Sequence, residues 1–189
     1  MDYAPRMKGN PPALQIMAAC ALVSCANPTN STNPQGGSTL SAQVFQDTNA
    51  YRSSHGTRQL KRHPGLDRLA SEHCEYLRRN RGTFKLYGKN VSHNGAEGRA
   101  LIAMKRLNMF SCSENVASTM SQGSDRQTSR AIVQLWQQSR DHEQAMRDSA
   151  WTHTGIGTVV AEDGRVFATQ LFGTMSQSHL TMHDRLTQF

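Results

Sequence analysis

Aromatic residues are scarce in this 189-residue sequence, at 6% of the chain, and they do not alternate with the basic residues. Proteins that hold single-stranded nucleic acid stack the bases on aromatic side chains in a basic groove, so no nucleic-acid partner is expected. The basic residues are scattered, and the densest group is Arg78, Arg79 and Arg81, at the end of a predicted helix. The formal charge of +7 still favours an anionic partner, either a lipid or a polymer.

The sequence has no apolar run long enough to span a bilayer as a helix. Its apolar stretch from Ala13 to Val23 follows Lys8 and ends in small residues, which is typical of a secretory signal. The end of this stretch, Leu22-Val23-Ser24-Cys25, resembles a bacterial lipobox. We therefore predict a signal peptide over residues 1–25, with lipidation of Cys25.

Residues 26–38 are rich in Asn, Pro, Thr, Ser and Gly, a composition that predicts a flexible linker. The signal and the linker together indicate an exported protein that is lipid-anchored in the bacterial envelope, where the anchor would contact the membrane. Cleavage by the ordinary signal peptidase near Ala21 or Ala26 would instead give a periplasmic or secreted protein. The sequence does not decide between Met1 and Met7 as the start.

Cysteine is scarce too, with four in the chain. Cys20 and Cys25 belong to the predicted signal, which leaves Cys74 and Cys112 for the mature domain. In an oxidising compartment these two residues would form one disulfide. Two buried free thiols are the alternative.

Hydrophobic periodicity predicts four helices followed by two strands. The helices are Thr39–Ser53, Asp67–Arg79, Gly98–Leu107 and Gln127–Arg140, and the strands are Gly155–Ala161 and Val166–Phe172. Asp163-Gly164 between the strands is a strong hairpin signal. A loop that leads into a short strand is expected over Ser111–Ala117. This order indicates an α+β domain over residues 39–173, with helices packed on a small antiparallel sheet and a C-terminal tail over residues 174–189.

Two familiar hydrolase motifs are absent. The run His142-Glu143-Gln144-Ala145-Met146 begins like a zincin helix, but Met146 stands where the second histidine is required. The sequence also lacks a Gly-x-Ser-x-Gly elbow. Ser139 and His142 are three residues apart and would face each other on a helix, so with Glu114 as the orienting acid they are candidates for a serine-type site.

Seven separated groups of residues occur in an order that resembles one family. They are Phe45, Asn49 and Arg52 followed by Gly56 and Leu60; Leu66, Leu69, Ala70, His73 and Tyr76; Ser92-His93-Asn94-Gly95; Glu114-Asn115-Val116-Ala117; Trp136, Ser139 and His142; Thr154-Gly155-Ile156-Gly157; and Ala168-Thr169-Gln170-Leu171-Phe172-Gly173. The chain resembles the CAP superfamily of cysteine-rich secretory proteins, antigen 5 and pathogenesis-related proteins, and its bacterial branch in particular. The resemblance covers residues 39–173.

This resemblance implies an α-β-α sandwich with a surface cavity that holds two histidines and two acids. Matched motif by motif, the cavity residues are His93, Glu114, Ser139 and His142, with Ser139 standing where the family has its second acid. Two imidazoles and one carboxylate suit Zn²⁺ or another divalent cation, which makes His93, His142 and Glu114 candidate metal ligands. A hydrogen-bonded network held by Glu114 is the alternative.

Family members are linked to lipid binding and to protein contacts, so the resemblance implies a binding module for a lipid, an envelope polymer or a protein. A metal-dependent or serine-type hydrolase and a non-catalytic structural envelope protein are the alternatives, and enzymatic activity is left open.

The other polar and aromatic residues of the seven groups, together with His153, are interpreted as structural. Asn49 and Arg52 would satisfy backbone groups of neighbouring loops, Trp136 and His73 would lie in or beside the core, and His153 would lie in the loop before a strand.

Overall fold

A computed structural model of the protein describes residues 39–80, 85–86, 89–90 and 92–175. The predicted signal peptide, Cys25 and the predicted linker lie outside these residues, as do residues 176–189 of the predicted tail. The helices among the described residues are α1 (Thr39–Ser54), α2 (Pro64–Arg79), α3 (Ala96–Arg106), α4 (Asp125–Gln138) and α5 (Arg140–Arg147). Each of these helices is too short or too polar to cross a membrane.

The strands form a four-stranded sheet and a separate small hairpin. In chain order the described strands are β1 (Lys61–Arg62), β2 (Lys85–Leu86), β3 (Lys89–Asn90), β4 (Met109–Met120), β5 (His153–Val160) and β6 (Arg165–Met175). The sheet order is β1-β5-β6-β4, and β2 pairs with β3. All strand pairs except β1–β5 are antiparallel. Strand β4 therefore forms one edge of the sheet, and the predicted hairpin is β5–β6.

Helices cover both faces of the sheet, because alternate residues of each strand point to opposite sides. On β6, Val166, Ala168 and Phe172 join a core cluster with α1, α4 and α5. Their neighbours Phe167 and Leu171 pack instead with residues of α2 and α3. The domain is thus the predicted α-β-α sandwich of the α+β class.

Two glycines of β5 let α2 lie directly on the sheet. A Cβ added at Gly155 would lie 2.2 Å from the backbone carbon of Leu66, and one at Gly157 would lie 2.3 Å from that of Ala70. Both distances are far inside van der Waals contact. These positions of the Gly-x-Gly pattern are therefore occupied by glycine because the helix backbone approaches so closely.

Three element predictions need correction. Strand β4 is twelve residues long and replaces the loop and short strand expected over Ser111–Ala117. Because β4 is an edge strand, its sequence is largely polar and lacks the alternation of apolar and polar residues that predicts a strand. The predicted fourth helix ends at Gln138, where Ser139 adopts an extended conformation, and the unpredicted α5 follows. Strand β6 also continues to Met175, two residues past the predicted end of the domain at Gly173.

Cys74 and Cys112 are both free thiols, so the predicted disulfide is not formed. The Cys74 thiol lies on α2 and donates a hydrogen bond to Thr169 Oγ1 at 3.3 Å. On the sheet, Cys112 is paired with Gly173. Gly173 lies four residues beyond Thr169 on β6, and this spacing separates the two residues by about 13 Å. A disulfide needs Cβ atoms about 4 Å apart, so the two thiols lie out of reach of each other.

Two polar residues of α1, Asn49 and Arg52, hold this helix to the rest of the domain, as their structural interpretation predicted. Asn49 donates to the carbonyl of Leu60 at 3.0 Å and accepts from the Leu60 amide at 2.8 Å. The fully buried Arg52 donates to the carbonyls of Arg58, Met146 and Asp148, two of which lie at the C-terminal end of α5. Both interpretations are therefore confirmed.

Candidate functional site

Glu114 is the centre of a polar cluster on the α2–α3 side of the sheet. Its partner across β4–β6 is Leu171, so the two side chains share a face. Only 6% of the Glu114 side chain is exposed. Arg99 from α3 holds the carboxylate in a fork, with Nε donating to Oε2 at 2.6 Å and Nη2 donating to Oε1 at 2.8 Å. Such bidentate, charge-assisted pairs fix the geometry of a carboxylate.

Burial alone would raise the pKa of Glu114. Hydrogen bonds from His93 and Arg99, together with the charge of Arg99, outweigh that effect and hold the pKa of the carboxyl below its usual value. Glu114 is therefore ionised at neutral pH. It is not the raised-pKa acid that a proton donor would require.

His93 lies in the turn that leads into α3. Gly95 ends the turn with a positive φ of 78°, and the amide of Ala96 donates back to the His93 carbonyl. The imidazole Nδ1 lies 2.9 Å from Glu114 Oε1. Because an ionised carboxylate only accepts hydrogen bonds, Nδ1 carries a proton. The side chain is 41% exposed, so His93 is the solvent-facing member of the cluster.

His142 lies on α5, which belongs to the helical layer on the other face of the sheet, and it completes the group of predicted site residues. Its ring centroid lies 6.1 Å from that of His93, with the planes inclined at 48°. The main-chain carbonyl of His142 accepts a hydrogen bond from Asn115 Nδ2 at 3.0 Å, which ties α5 to the residue after Glu114. Burial, and then the charge of His93, lower the pKa of His142, so this imidazole is neutral at pH 7.

The structure therefore brings His93, Glu114 and His142 together, but it does not assemble a serine-type site. Ser139 forms the junction between α4 and α5, where its amide donates to the Trp136 carbonyl and its own carbonyl accepts from Glu143. The Ser139 hydroxyl forms no hydrogen bond with His142 in the described part of the chain. The orienting acid is also held by His93 rather than by His142. Ser139, His142 and Glu114 are therefore not connected in series as nucleophile, base and acid.

Two residues of the cluster were not assigned to the site from the sequence. Arg99 is one of many scattered arginines. The one signal in the sequence that could have indicated a cationic partner was Glu114 itself, because a buried carboxylate needs a cation beside it. His73 was placed in or beside the core, and it is buried there, but it also lies behind Glu114. Its Nε2 donates to the Ser92 carbonyl at 2.7 Å and lies 4.0 Å from Glu114 Oε1. Burial, and then the charge of Arg99, lower the pKa of His73.

His153 does not join the cluster. It begins β5 rather than preceding it, and its ring meets His63 edge to face with centroids 5.9 Å apart. His63 in turn caps the N-terminus of α2, because its Nδ1 accepts from the amide of Gly65 at 3.1 Å and more weakly from that of Leu66 at 3.4 Å. These two histidines form a separate pair at the start of α2.

The cluster as arranged does not fit the predicted metal site. Both Glu114 oxygens accept hydrogen bonds from the Arg99 guanidinium, and Oε1 also accepts from His93. Within the described ranges, no three His, Cys, Asp or Glu side chains are placed to hold one ion. The arrangement matches the alternative, a hydrogen-bonded network. Binding of Zn²⁺ or another divalent cation by His93, His142 and Glu114 stays a prediction that would require Arg99 to release the carboxylate.

A cavity of about 220 Å³ lies beside the polar cluster, between α3 and the sheet. Its walls are largely apolar, and its polar part is formed by Glu97, Arg99, Ser113 and Glu114. Cys112 also lines it, but burial raises the pKa of this thiol to about 11, so it is protonated at neutral pH. Of the predicted cavity residues His93, Glu114, Ser139 and His142, Glu114 is the one that lines this hollow. The site thus combines an apolar hollow with a fixed ion pair and, next to them, an exposed imidazole.

Comparison with known proteins agrees with this fold. The family model described as CAP, the cysteine-rich secretory protein family, matches residues 45–172, and the chain belongs to this family. No curated protein sequence matches the chain significantly.

Three solved bacterial structures share the fold. An outer surface protein from Borrelia burgdorferi is 19% identical, with a TM-score of 0.57 over 72% of this chain and 93% of that one. An extracellular protein containing an SCP domain from Bacillus anthracis is 21% identical, with a TM-score of 0.54 over 71% of this chain and 40% of that one. A cysteine-rich secretory protein from Staphylococcus aureus is 18% identical, with a TM-score of 0.50 over 76% of this chain and 40% of that one. The match spans less than half of the last two proteins.

Proposed function

We propose that this chain is an exported CAP-domain binding module that takes an alkyl chain or a similar apolar group in the cavity between α3 and the sheet. The lining of that cavity carries the proposal. Leu66, Ala96, Ala100, Ala103 and Leu171 supply apolar walls beside the polar cluster. An apolar hollow holds water poorly and gains free energy when an apolar group fills it.

The size and the polar end of the cavity narrow the ligand class. A volume of about 220 Å³ is smaller than the roughly 300–1,000 Å³ that encloses a drug-sized ligand, so it suits one alkyl segment rather than a whole lipid. Arg99 and Glu114 neutralise each other at the cavity edge, and His93 faces solvent beside them. A polar group on the ligand would therefore bond to His93, and the proposed ligand is amphipathic.

Export is part of the same proposal. Two of the similar structures are named as an outer surface protein and an extracellular protein, which supports a location outside the cytoplasm. The predicted signal peptide and linker agree with it. Acylation of Cys25 would add a lipid anchor, and that modification remains a prediction from the lipobox alone.

Titration calorimetry with dodecanoate, used as an acyl probe with a free alkyl end, tests the proposal. All proteins are the full chain with Cys25→Ser, so that they share one N-terminus without an attached lipid. Ala100→Leu would fill the cavity from a half-buried position on α3. We expect saturable binding by the parent chain and a dissociation constant raised roughly tenfold or more by Ala100→Leu, because the added methylenes occupy the ligand's space.

Ala50→Leu is the matched control, since it makes the same substitution at an exposed position of another helix. It should bind the probe like the parent chain. Thermal melting would establish that both variants are folded. Equal affinity for the probe in all three proteins, or no saturable binding by the parent chain, would rule out the cavity as the binding site.

A further inference from the structure

The outward face of α3 is apolar where the surface of a helix is normally polar. Ala103 is the buried contact of α3 with the domain core, and Leu101, Ile102 and Met104 point away from it. All three are exposed, Leu101 by 51%. Single exposed apolar residues are common, but several together on one short helix indicate a contact surface. Helix α3 thus has apolar residues on both sides.

Phe110 adds a large ring just beyond the end of the same helix. The pairing of β4 with β6 passes from Met109–Met175 to Ser111–Thr174, so Phe110 occupies a bulge in the edge strand. A bulge redirects the side chain of the extra residue, and here the ring is 75% exposed while Met109 beside it is buried. Phe110 is the most exposed of the large apolar side chains in the described part of the chain.

Basic residues accompany these apolar side chains. Lys105 and Arg106 form the last turn of α3 and are both exposed, and Glu97 at the opposite end is the acidic residue of the helix. The whole chain carries a formal charge of +7. Exposed apolar anchors with flanking cations are the composition of a protein surface that lies in the interface of an anionic bilayer.

We propose that α3 and Phe110 form a docking surface for an anionic lipid bilayer. Leu101, Ile102, Met104 and Phe110 enter the interface, and Lys105 and Arg106 bind the lipid headgroups. This surface is the outer side of the helix whose inner side walls the cavity, so it is separate from the ligand site and does not depend on it. A second copy of the chain is the less favourable occupant, since a symmetric contact would bring equal surfaces with equal cations together.

Quenching of an introduced tryptophan by brominated lipids tests this proposal. Phe110→Trp places the reporter in the proposed surface of the full chain, again with Cys25→Ser. Met120→Trp is the matched control, because Met120 is 49% exposed on the same strand but ten residues away, or about 33 Å. With vesicles of brominated phosphatidylglycerol, we expect quenching at position 110 and much less at position 120. The native Trp136 and Trp151 contribute the same background to both proteins.

Two further variants separate the apolar and the charge contributions. Leu101→Ser in the Phe110→Trp protein should reduce vesicle binding roughly tenfold, since it removes the central anchor. Lys105→Gln should weaken binding about fivefold for phosphatidylglycerol vesicles and leave the weak binding to phosphatidylcholine vesicles unchanged. Ala100→Leu should leave quenching intact even where acyl-probe binding is lost, which distinguishes this surface from the cavity.

Equal quenching at positions 110 and 120 would overturn the proposal, because the shared N-terminus would then account for vesicle binding. Binding that is indifferent to Lys105→Gln would remove the anionic bilayer as the partner. If sedimentation shows a dimer that Leu101→Ser dissociates, and no quenching occurs, then the surface is an interface between two copies of the chain instead.

Discussion

The two faces of the sheet are built differently. On one face, α1, α4 and α5 close over a continuous apolar core that contains Trp136, Ile156 and Phe172. On the other face, α2 packs closely on β5, but α3 leaves a cavity and the sheet carries the buried ion pair of Glu114 and Arg99. The first face is therefore expected to supply most of the packing energy. The second face is packed less tightly, because it contains fixed polar groups and a cavity.

The largest effect is expected on the packed face. Trp136→Ala should destabilise the domain by about 4 kcal/mol, because it opens a large cavity around a side chain that is fully buried. Denaturant unfolding measures this. The matched control is Trp136→Phe, which keeps most of the ring volume. It also removes an indole N–H that has no hydrogen-bond partner in the described structure, so its cost should be much smaller. Similar losses for both variants would contradict the assignment of the stability to packing.

A smaller effect is expected from the ion pair on the other face. Arg99→Met should cost about 3 kcal/mol at neutral pH, because it leaves the Glu114 carboxylate buried without its cation. Adding Glu114→Gln should recover much of that loss by removing the stranded charge. A double-mutant cycle from denaturant unfolding measures the coupling between the two residues.

The pH dependence provides a second measurement of the same pair. The pKa of Glu114 is lower in the folded protein, so its contribution to stability is present above the ordinary value of 4.5 and is lost as the pH falls below it. The Arg99→Met variant should lose less stability than the parent chain over that acidic range. An unchanged acid profile would show that the fork does not hold the carboxyl ionised.

The smallest effect is expected at the start of α2. His63→Ala should cost about 1 kcal/mol, because it removes the side chain that accepts from the first amides of the helix. Burial lowers the pKa of His63, so the unfolded chain binds its proton more readily and stability falls as the pH drops below about 6.5. His63→Asn should keep the cap and lose less stability between neutral pH and about pH 5. A steeper loss in His63→Asn would contradict the role of an imidazole cap.

Local signals were sufficient for much of the packed architecture. The 3.6-residue spacing predicted helices α2 and α4, and Asp163-Gly164 predicted the β5–β6 hairpin, where Gly164 has a φ of 79°. The same approach predicted only a short strand in place of β4, which carries Glu114, and it missed α5, which carries His142. Both are polar elements whose backbones are held by tertiary neighbours, so their own residues carry little periodic signal.

The candidate site was likewise only partly predictable. The motif resemblance selected His93, Glu114 and His142, and these three side chains lie together. It did not select Arg99, which reaches Glu114 from a position fifteen residues away in the chain, nor did it separate Ser139 from His142. Hydrogen-bond partners depend on how helices pack across a sheet, and sequence spacing does not contain that information.

The family, four of the helices, the β5–β6 hairpin and three polar residues of the cluster follow from the sequence alone, because these depend on patterns that are local to each segment. The packing of the helices on the sheet fixes which cation neutralises Glu114, that Cys74 and Cys112 are held apart, and that α3 shows apolar side chains to both the core and the solvent. Each of these is a relation between segments distant in the chain or a question of burial. Such relations are fixed when the helices close over the sheet, since only then are distances and solvent exposure defined.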